Sequence, residues 1–161
     1  MKFPHFLRTV AVLLPALLLV AAKAGPGSEA AAGGKRFVGS QTCMSCHPKQ
    51  YERFTQFARK AHSFESVKIM QKNLTDEELK GCYECHTTGY GQPGGFVSEE
   101  KTPHMKNNGC EVCHGPGSAH ARTLNPEKII ADVDMDTCKT CHNSERVAAF
   151  DFKPMKFAGA H

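Results

Sequence analysis

The sequence predicts a small, mainly α-helical protein with little regular β structure. Apolar residues recur at helical spacing from Pro48 to His62, which indicates a helix with one buried face. Thr75 to Glu78 has the pattern of an N-terminal capping box, which predicts a second helix. A third observation is a pair of cysteines separated by two residues, which occurs four times at a spacing that one turn of helix accommodates.

Residues 1–24 are predicted to be a secretory signal peptide. Lys2 and Arg8 precede an apolar run of about 14 residues, and Ala22-Lys23-Ala24 fits the small-x-small cleavage pattern. An uncleaved membrane anchor is the alternative, but the run is shorter than the roughly 20 apolar residues that a spanning helix needs. We therefore expect an exported protein, periplasmic or extracellular, with no stable membrane span after cleavage.

The mature chain is predicted to form one domain of about 137 residues. Residues 25–36 are small, polar and glycine-rich, which predicts a flexible leader before a folded domain over residues 37–161. After Lys2, Arg8 and Lys23 leave with the signal, 17 of the 20 Lys and Arg remain against 16 Asp and Glu. No basic stripe interleaved with aromatic residues is present, so we expect no nucleic-acid partner.

All eight cysteines belong to four CxxCH motifs, in which a histidine directly follows the second cysteine. The cysteines are Cys43, Cys46, Cys82, Cys85, Cys110, Cys113, Cys138 and Cys141, and the histidines are His47, His86, His114 and His142. Disulfides of a small secreted domain and four-cysteine zinc sites are the alternatives, but both leave the four histidines without a role. With histidine at roughly one residue in eighteen, four such placements by chance come to about one in 100,000, and CxxCH is the attachment signature of c-type haem.

The motifs therefore predict four covalently bound c-type haems. Two thiols add across the two vinyl groups of one porphyrin, and the adjacent imidazole reaches the iron. One haem for about 34 residues of mature chain is too dense for an ordinary core, so we expect the haems to supply most of the buried apolar surface. The absence of Trp, the presence of only three Tyr and the negative mean hydropathy agree with a haem-dominated core.

Four further histidines remain for the four irons after loss of the signal peptide. They are His62, His104, His120 and His161. This count favours bis-histidine ligation and low-spin iron, with potentials below those of Met/His cytochromes. His62 closes the apolar face of the first predicted helix, His120 follows a Gly-Pro-Gly loop, and His161 ends an apolar segment that we expect to dock on haem. His104 lies in a polar loop, where it is either an ordinary loop histidine or a ligand in competition with Met105.

Three strings resemble the tetrahaem cytochromes of the c-554 type. They are SQTCMSCHPKQYERFTQFARKAH at 40–62, GCYECHTTGYGQPGGF at 81–96 and GCEVCHGPGSAH at 109–120. The resemblance implies a mainly helical fold with closely stacked pairs of haems. It also implies ligands that cross over in sequence: His62 with His114, His120 with His47, and His161 with His142.

The chain departs from the archetype of that family in two respects. It is shorter after the third and fourth motifs, and it has His104 in the loop before the third motif. In the archetype the second haem has no protein ligand on its distal side. His104 is therefore a candidate to close the haem of His86, which would turn an open reaction site into an electron relay.

Electron transfer is the function that the sequence favours. We expect a carrier that exchanges single electrons with redox-protein donors and acceptors, without enzymatic activity of its own. One alternative is an enzyme that reduces a small nitrogen or oxygen species at a five-coordinate haem of His86. The other is a conductive filament, a homo-oligomer in which His161 ligates a haem of the next subunit.

Overall fold

The structure, a computed structural model, describes residues 34–143 and His161. The predicted signal peptide, most of the predicted leader and the apolar segment before His161 lie outside the described residues. Within them the chain forms seven α-helices and four 3₁₀ turns, and no β-strand. The predicted mainly α-helical fold class is confirmed.

The helices are short and lie at irregular intervals along the chain. They are α1 (Ser40–Met44), α2 (Pro48–Phe57), α3 (Phe64–Met70), α4 (Asp76–His86), α5 (Cys110–His114), α6 (Ser118–Thr123) and α7 (Met135–Lys139). The 3₁₀ turns are Arg59–His62, Gln71–Asn73, Pro103–Met105 and Pro126–Lys128. None of these described helices is long and apolar enough to cross a bilayer. Because isolated helices of such length are marginal in water, contacts between elements must stabilise them.

Helix α2 is shorter than its apolar pattern predicts. The pattern continues to His62, but the helix ends at Phe57 because Ala58 has extended backbone torsions, with φ −79° and ψ 120°. The 3₁₀ turn that follows leads to Ser63, whose hydroxyl donates a hydrogen bond to the His86 carbonyl at 2.9 Å. This contact across 23 residues fixes the path of the chain after α2, and local periodicity does not report it.

The capping box predicted at the start of α4 is confirmed. The Glu78 N–H donates to Thr75 Oγ1 at 3.4 Å, and the Thr75 N–H donates to the Glu78 carboxylate at 2.9 Å. This exchange satisfies two amide groups that the helix itself leaves unpaired. The helix then continues through the second CxxCH motif to His86, so it is longer than the short helix expected before that motif.

The apolar core lies beside the second motif. Phe64, Val67, Phe96 and Met105 are buried together, and Tyr83 of the motif packs edge-on against Phe96 with ring centroids 5.0 Å apart. Met105 is therefore a core side chain rather than a competitor for iron. Only seven hydrophobic residues are buried among those described, which leaves a large share of the apolar surface for a cofactor to cover.

One glycine in the loop after the second motif is required by a close approach. Gly89 has φ +66°, and a Cβ there would lie 2.6 Å from the ring of Phe37. The Phe37 N–H also donates to the Pro93 carbonyl at 3.0 Å. The start of the folded chain is thereby held against this loop, directly before α1 and the first motif.

Candidate functional site

Each CxxCH motif contains the helical turn that its spacing predicts. The His47 N–H donates to the Cys43 carbonyl at 2.8 Å, and the His142 N–H donates to the Cys138 carbonyl at 2.9 Å. The second motif ends α4, and the third forms α5. Because residues i, i+3 and i+4 share a helix face, each turn presents two thiols and one imidazole together.

The first and third motifs meet directly. The thiols of Cys43 and Cys110 interact with each other, which raises the pKa of Cys43 and lowers the pKa of Cys110 to about 6. The Cys110 N–H also donates to Ser40 Oγ at 2.9 Å and so joins the N-terminal ends of α5 and α1. Groups attached to these two motifs would be close neighbours.

Two pairs of histidine rings lie near the separation expected of axial ligands. The ring centroids of His47 and His120 are 6.4 Å apart with planes at 25°, and those of His114 and His161 are 5.9 Å apart with planes at 18°. Two imidazoles that bind one metal ion from opposite sides, through bonds of about 2.0 Å, have centroids roughly 6.3 Å apart. Each pair joins the histidine of a CxxCH motif to a histidine outside the motifs.

Main-chain carbonyls orient three of the imidazoles. Nδ1 lies within hydrogen-bond distance of a carbonyl in His86 (2.8 Å from Ser63), in His114 (2.6 Å from Ile130) and in His120 (3.0 Å from Asn125). A proton on Nδ1 satisfies the carbonyl and leaves Nε2 as the metal-binding nitrogen. These rings are therefore held as histidine ligands of metal centres usually are.

His62 has a different arrangement. Its Nε2 lies 3.1 Å from the Thr55 carbonyl, and its Nδ1 lies 3.7 Å from the Glu65 carboxylate. In His62 the hydrogen bond to the main chain is therefore made by Nε2, the nitrogen that His86, His114 and His120 leave available for a metal ion. The ring next to His114 is that of His161, whereas the resemblance pairs His114 with His62 and assigns His161 to His142.

The His104 ring lies against Gly39, directly before the helix of the first motif. A Cβ on Gly39 would lie 3.0 Å from His104 Cδ2, which places this imidazole directly before α1. His104 lines a cavity of about 140 Å³ with Tyr51 and Phe54, whereas His86 lines a different cavity. No contact in the described chain brings His104 to His86, so ligation of that haem by His104 stays a prediction.

A larger cavity, of about 470 Å³, is bounded by three of the four motifs. The motif residues that line it are Cys85, His86, Cys113, Cys138, Cys141 and His142. Its volume lies in the range of small-molecule and cofactor sites, and its thiols and imidazoles are the groups that hold c-type haem. Arg59 and Lys60 also line it; burial first, and the Lys60 ammonium second, lower the pKa of His142.

The zinc alternative requires four side chains that converge tetrahedrally on one ion. In residues 34–143 and at His161, no three His, Cys, Asp or Glu side chains are placed to hold a metal ion. The four-cysteine arrangement is therefore not formed in this part of the chain. The facing imidazoles and the thiol-lined cavity fit haem attachment instead.

Two comparisons with known proteins point to one family. The model of the family described as cytochrome c554 and c-prime matches residues 42–115. Cytochrome c-554 of Nitrosomonas europaea is 33% identical to this chain over 80 residues. Over residues 42–115, the chain is similar to the cytochromes of the c-554 type. The matched family segment contains the first three CxxCH motifs.

The likeness to cytochrome c-554 extends to the fold. The sequence alignment covers 43% of this chain and 34% of the relative, so this chain spans about a third of the length of the curated relative it matches. The solved structure of reduced cytochrome c554 from Nitrosomonas europaea has a TM-score of 0.51 to this structure, at 23% identity. That superposition covers 80% of this chain and 79% of the other.

Sequence reasoning missed three side chains that build the site. The Ser63 hydroxyl accepts from the Asn108 N–H at 2.9 Å, and Asn108 Nδ2 donates to the Cys85 carbonyl at 2.8 Å. Glu111, inside the third motif, is buried and accepts from main-chain N–H groups. Most of the partners are main-chain groups distant in sequence, so no local pattern marks these residues.

Proposed function

We propose that the protein is an exported tetrahaem c-type cytochrome that carries electrons in the periplasm or at the cell surface. The observation that carries the proposal is the 6.4 Å separation of the His47 and His120 rings, because it matches the distance between two imidazoles that bind one metal ion from opposite sides. The family of cytochrome c554 and c-prime, matched over residues 42–115, supports covalently bound c-type haem and an electron carrier.

The chain's residues take four roles in this proposal. Covalent attachment is assigned to Cys43, Cys46, Cys82, Cys85, Cys110, Cys113, Cys138 and Cys141, and proximal ligation to His47, His86, His114 and His142. His120 is the distal ligand opposite His47, and His161 the distal ligand opposite His114. His62 and His104 remain candidate ligands. Haem iron supplies one-electron chemistry when bound; the chain fixes the spacing of the sites and orients the imidazoles.

Contacts between motifs support two close pairs of haem sites. The Cys110 N–H donates to Ser40 Oγ at 2.9 Å and so holds the third motif against the start of α1, and one cavity is lined by Cys85 of the second motif and Cys138 of the fourth. Eight haem propionates would also move the mature net charge from about +1 toward roughly −7. We therefore propose redox-protein partners with basic docking patches, whose association weakens as salt is added.

Mass spectrometry and spectroelectrochemistry of the mature protein test the proposal. We expect a mass that contains four covalently attached haems and a start near Gly25, and reversible one-electron reduction of every haem without a small-molecule substrate. The matched variants Cys110→Ser and Ser118→Ala separate attachment from general damage, because only the first removes a thioether. Fewer than four haems in the wild type, or irreversible reduction, would contradict the proposal.

Reduction of a small nitrogen or oxygen species at the haem of His86 is a second candidate function. The cavity beside His86 favours it, because Arg59 and Lys60 line that cavity and would attract small anions. Within the described residues, no histidine ring lies opposite His86 as His120 lies opposite His47. Rapid reoxidation of the reduced protein by nitrite would favour this enzyme, whereas slow reoxidation would favour the electron carrier.

The filament alternative depends on where His161 binds. His161 lies 5.9 Å from His114 of the same chain, which supports closure within one chain. Ligation between subunits would make the haem spin state depend on protein concentration. We expect the spin state to stay constant on dilution.

A further inference from the structure

The Glu111 side chain is a buried carboxylate inside the third CxxCH motif, with 2% of its surface exposed. Three main-chain N–H groups donate to it. Val38 N–H lies 3.0 and 3.1 Å from its two oxygens, Gly39 N–H lies 2.7 Å from Oε2, and Gly117 N–H lies 2.7 Å from Oε1. Both carboxylate oxygens are therefore satisfied by the main chain of two separate segments.

A buried carboxylate is tolerated only when its oxygens are hydrogen-bonded. Bonds from N–H groups to an ionised carboxylate are shorter and stronger than neutral ones. Main-chain donors, unlike long side chains, cannot rotate away from their acceptor. The carboxylate of Glu111 therefore fixes its two partner segments relative to each other.

The two segments lead directly to one pair of facing imidazoles. Val38 and Gly39 precede α1, which continues to His47. Gly117 precedes α6, which carries His120. The distance of 6.4 Å between the two ring centroids therefore depends on two short stretches of chain. Each stretch begins at a main-chain N–H group that donates to Glu111.

Two further hydrogen bonds join the same two segments at Arg36, which is exposed. The Arg36 N–H donates to Ser118 Oγ at 2.9 Å, and the Ser118 N–H donates to the Arg36 carbonyl at 3.1 Å. Water competes for exposed hydrogen bonds, so their net contribution is small. Glu111 supplies the buried connection.

We propose that Glu111 is a positioning residue for the haem of His47. Its carboxylate holds the segment of the proximal His47 and the segment of the distal His120 in one arrangement, so that both imidazoles stay at axial distance from one iron. The inference rests on the proposed function, because it takes His47 and His120 as ligands of one haem. Glu111 acts through the main chain and not by ligation.

The substitution Glu111→Gln tests this role with little change in side-chain volume. An amide has one acceptor oxygen and one NH₂ donor, so the Gly39 N–H, which donates to Oε2 at 2.7 Å, would face a second donor and lose its acceptor. We expect part of the low-spin signal of the His47 haem to become high-spin, toward the level seen in His120→Ala, with a shifted midpoint potential for that haem alone. The matched control is Glu84→Gln, an exposed glutamate inside the second motif, which should change neither.

A second variant, Glu111→Asp, keeps the charge and both acceptor oxygens on a side chain one methylene shorter. We expect it to fall between the wild type and Glu111→Gln in high-spin signal. This partial rescue separates positioning by the carboxylate from a general loss of packing. If Glu111→Gln does not retain four covalent haems, the high-spin signal of Glu111→Asp alone tests the inference.

Low-temperature electron paramagnetic resonance of the oxidised holoproteins gives the readout. A high-spin gain in both Glu111 variants and none in Glu84→Gln is the expected result. Wild-type spectra in both Glu111 variants, even with lowered thermal stability, overturn the inference if His120→Ala itself gains high-spin iron. An unchanged spectrum in His120→Ala overturns the ligand assignment in the proposed function, and the inference with it.

Discussion

His47 and His86 follow the same CxxC spacing but stand in contrasting surroundings. The ring of His47 has the ring of His120 at 6.4 Å, and its segment is held by the buried Glu111 carboxylate. His86 has Nδ1 fixed by the Ser63 carbonyl at 2.8 Å, yet it borders a cavity of about 470 Å³. The proximal side of each site is built by the motif and its neighbours.

The difference shows that the motif decides attachment and the rest of the chain decides what lies opposite. The ring of His120 faces that of His47, and ligation of one iron by both would suit electron transfer without bond making. An unclosed position across from His86 would leave room for a small ligand. One chain can thus contain both a relay and a site that is open to chemistry.

The largest effect is expected when haem is absent from both the His47 and the His86 sites. Only seven hydrophobic residues are buried in the described part of the chain, and its helices are too short to be stable alone. The chain without haem should therefore be largely unfolded at 25 °C. Circular dichroism on protein produced without haem attachment checks this, and a cooperative, native-like melt would contradict it.

Truncation of the aromatic cluster beside the second motif should have the next largest effect. Phe96 is 2% exposed and packs against Tyr83 of that motif, so Phe96→Ala should lower the free energy of unfolding by about 3–5 kcal/mol. The control is Phe57→Ala, at a side chain that is 72% exposed, which should cost less than about 0.5 kcal/mol. Denaturant unfolding of the holoproteins measures both, and equal losses would show that the cluster does not hold α4.

A smaller loss is expected at the proximal side of His86. Ser63→Ala removes the hydroxyl that donates to the His86 carbonyl and accepts from the Asn108 N–H. The free energy of unfolding should fall by about 1–3 kcal/mol, because the substitution leaves the Asn108 N–H without its acceptor. The control is Ser66→Ala, at an exposed serine of α3, the helix that follows Ser63. If the midpoint potential of the His47 haem shifts and that of the His86 haem does not, the assignment of Ser63 to the second site is wrong.

The smallest effect is expected at the start of α4. The pKa of Glu78 lies below its ordinary value, first because the Thr75 N–H donates to its carboxylate and second because the Thr75 hydroxyl does. A pKa lowered by folding stabilises above the unfolded-state pKa, and that contribution is lost as the pH falls through the folded-state pKa. Thr75→Ala should lower the free energy of unfolding by about 1 kcal/mol at neutral pH and raise the pKa of Glu78 part-way. The loss should become smaller in acid, because the bond from the Thr75 hydroxyl to the Glu78 carboxylate is weakened there, whereas the cap of the Glu78 N–H does not titrate.

Titration of Glu78 by nuclear magnetic resonance, with unfolding measured at pH 7 and pH 3, checks this prediction. The spin states of all haems should stay as in the wild type, because Thr75 forms its side-chain hydrogen bonds with Glu78 at the start of α4. A cost that stays constant between the two pH values would contradict the role of the capping box.

Local signals in the sequence predicted the local structure well. The helical turn of each CxxCH motif and the capping box at Thr75 are formed by groups within five residues of one another, and both are confirmed. The end of α2 at Phe57 could not be predicted, because the apolar pattern continues and the interruption depends on contacts of Ser63 with His86.

The distal side of the site was harder to predict than the proximal side. The position of His104 beside Gly39 depends on long-range packing, as does the burial of Met105 in the core. Glu111 gave no signal, since its partners are the N–H groups of Val38 and Gly39, 73 and 72 residues earlier. Residue type in a CxxCH motif indicates attachment, whereas the partner across the iron depends on tertiary structure.

The contrast between His47 and His86 is tested most directly by low-temperature electron paramagnetic resonance of the oxidised wild type and of His104→Ala. We expect high-spin iron in the wild type, with the haem of His86 among the high-spin centres, and no change in His104→Ala, because His104 lies beside Gly39. Four low-spin haems in the wild type, with one converted to high-spin in His104→Ala, would contradict this expectation and make His104 the ligand that closes the second site.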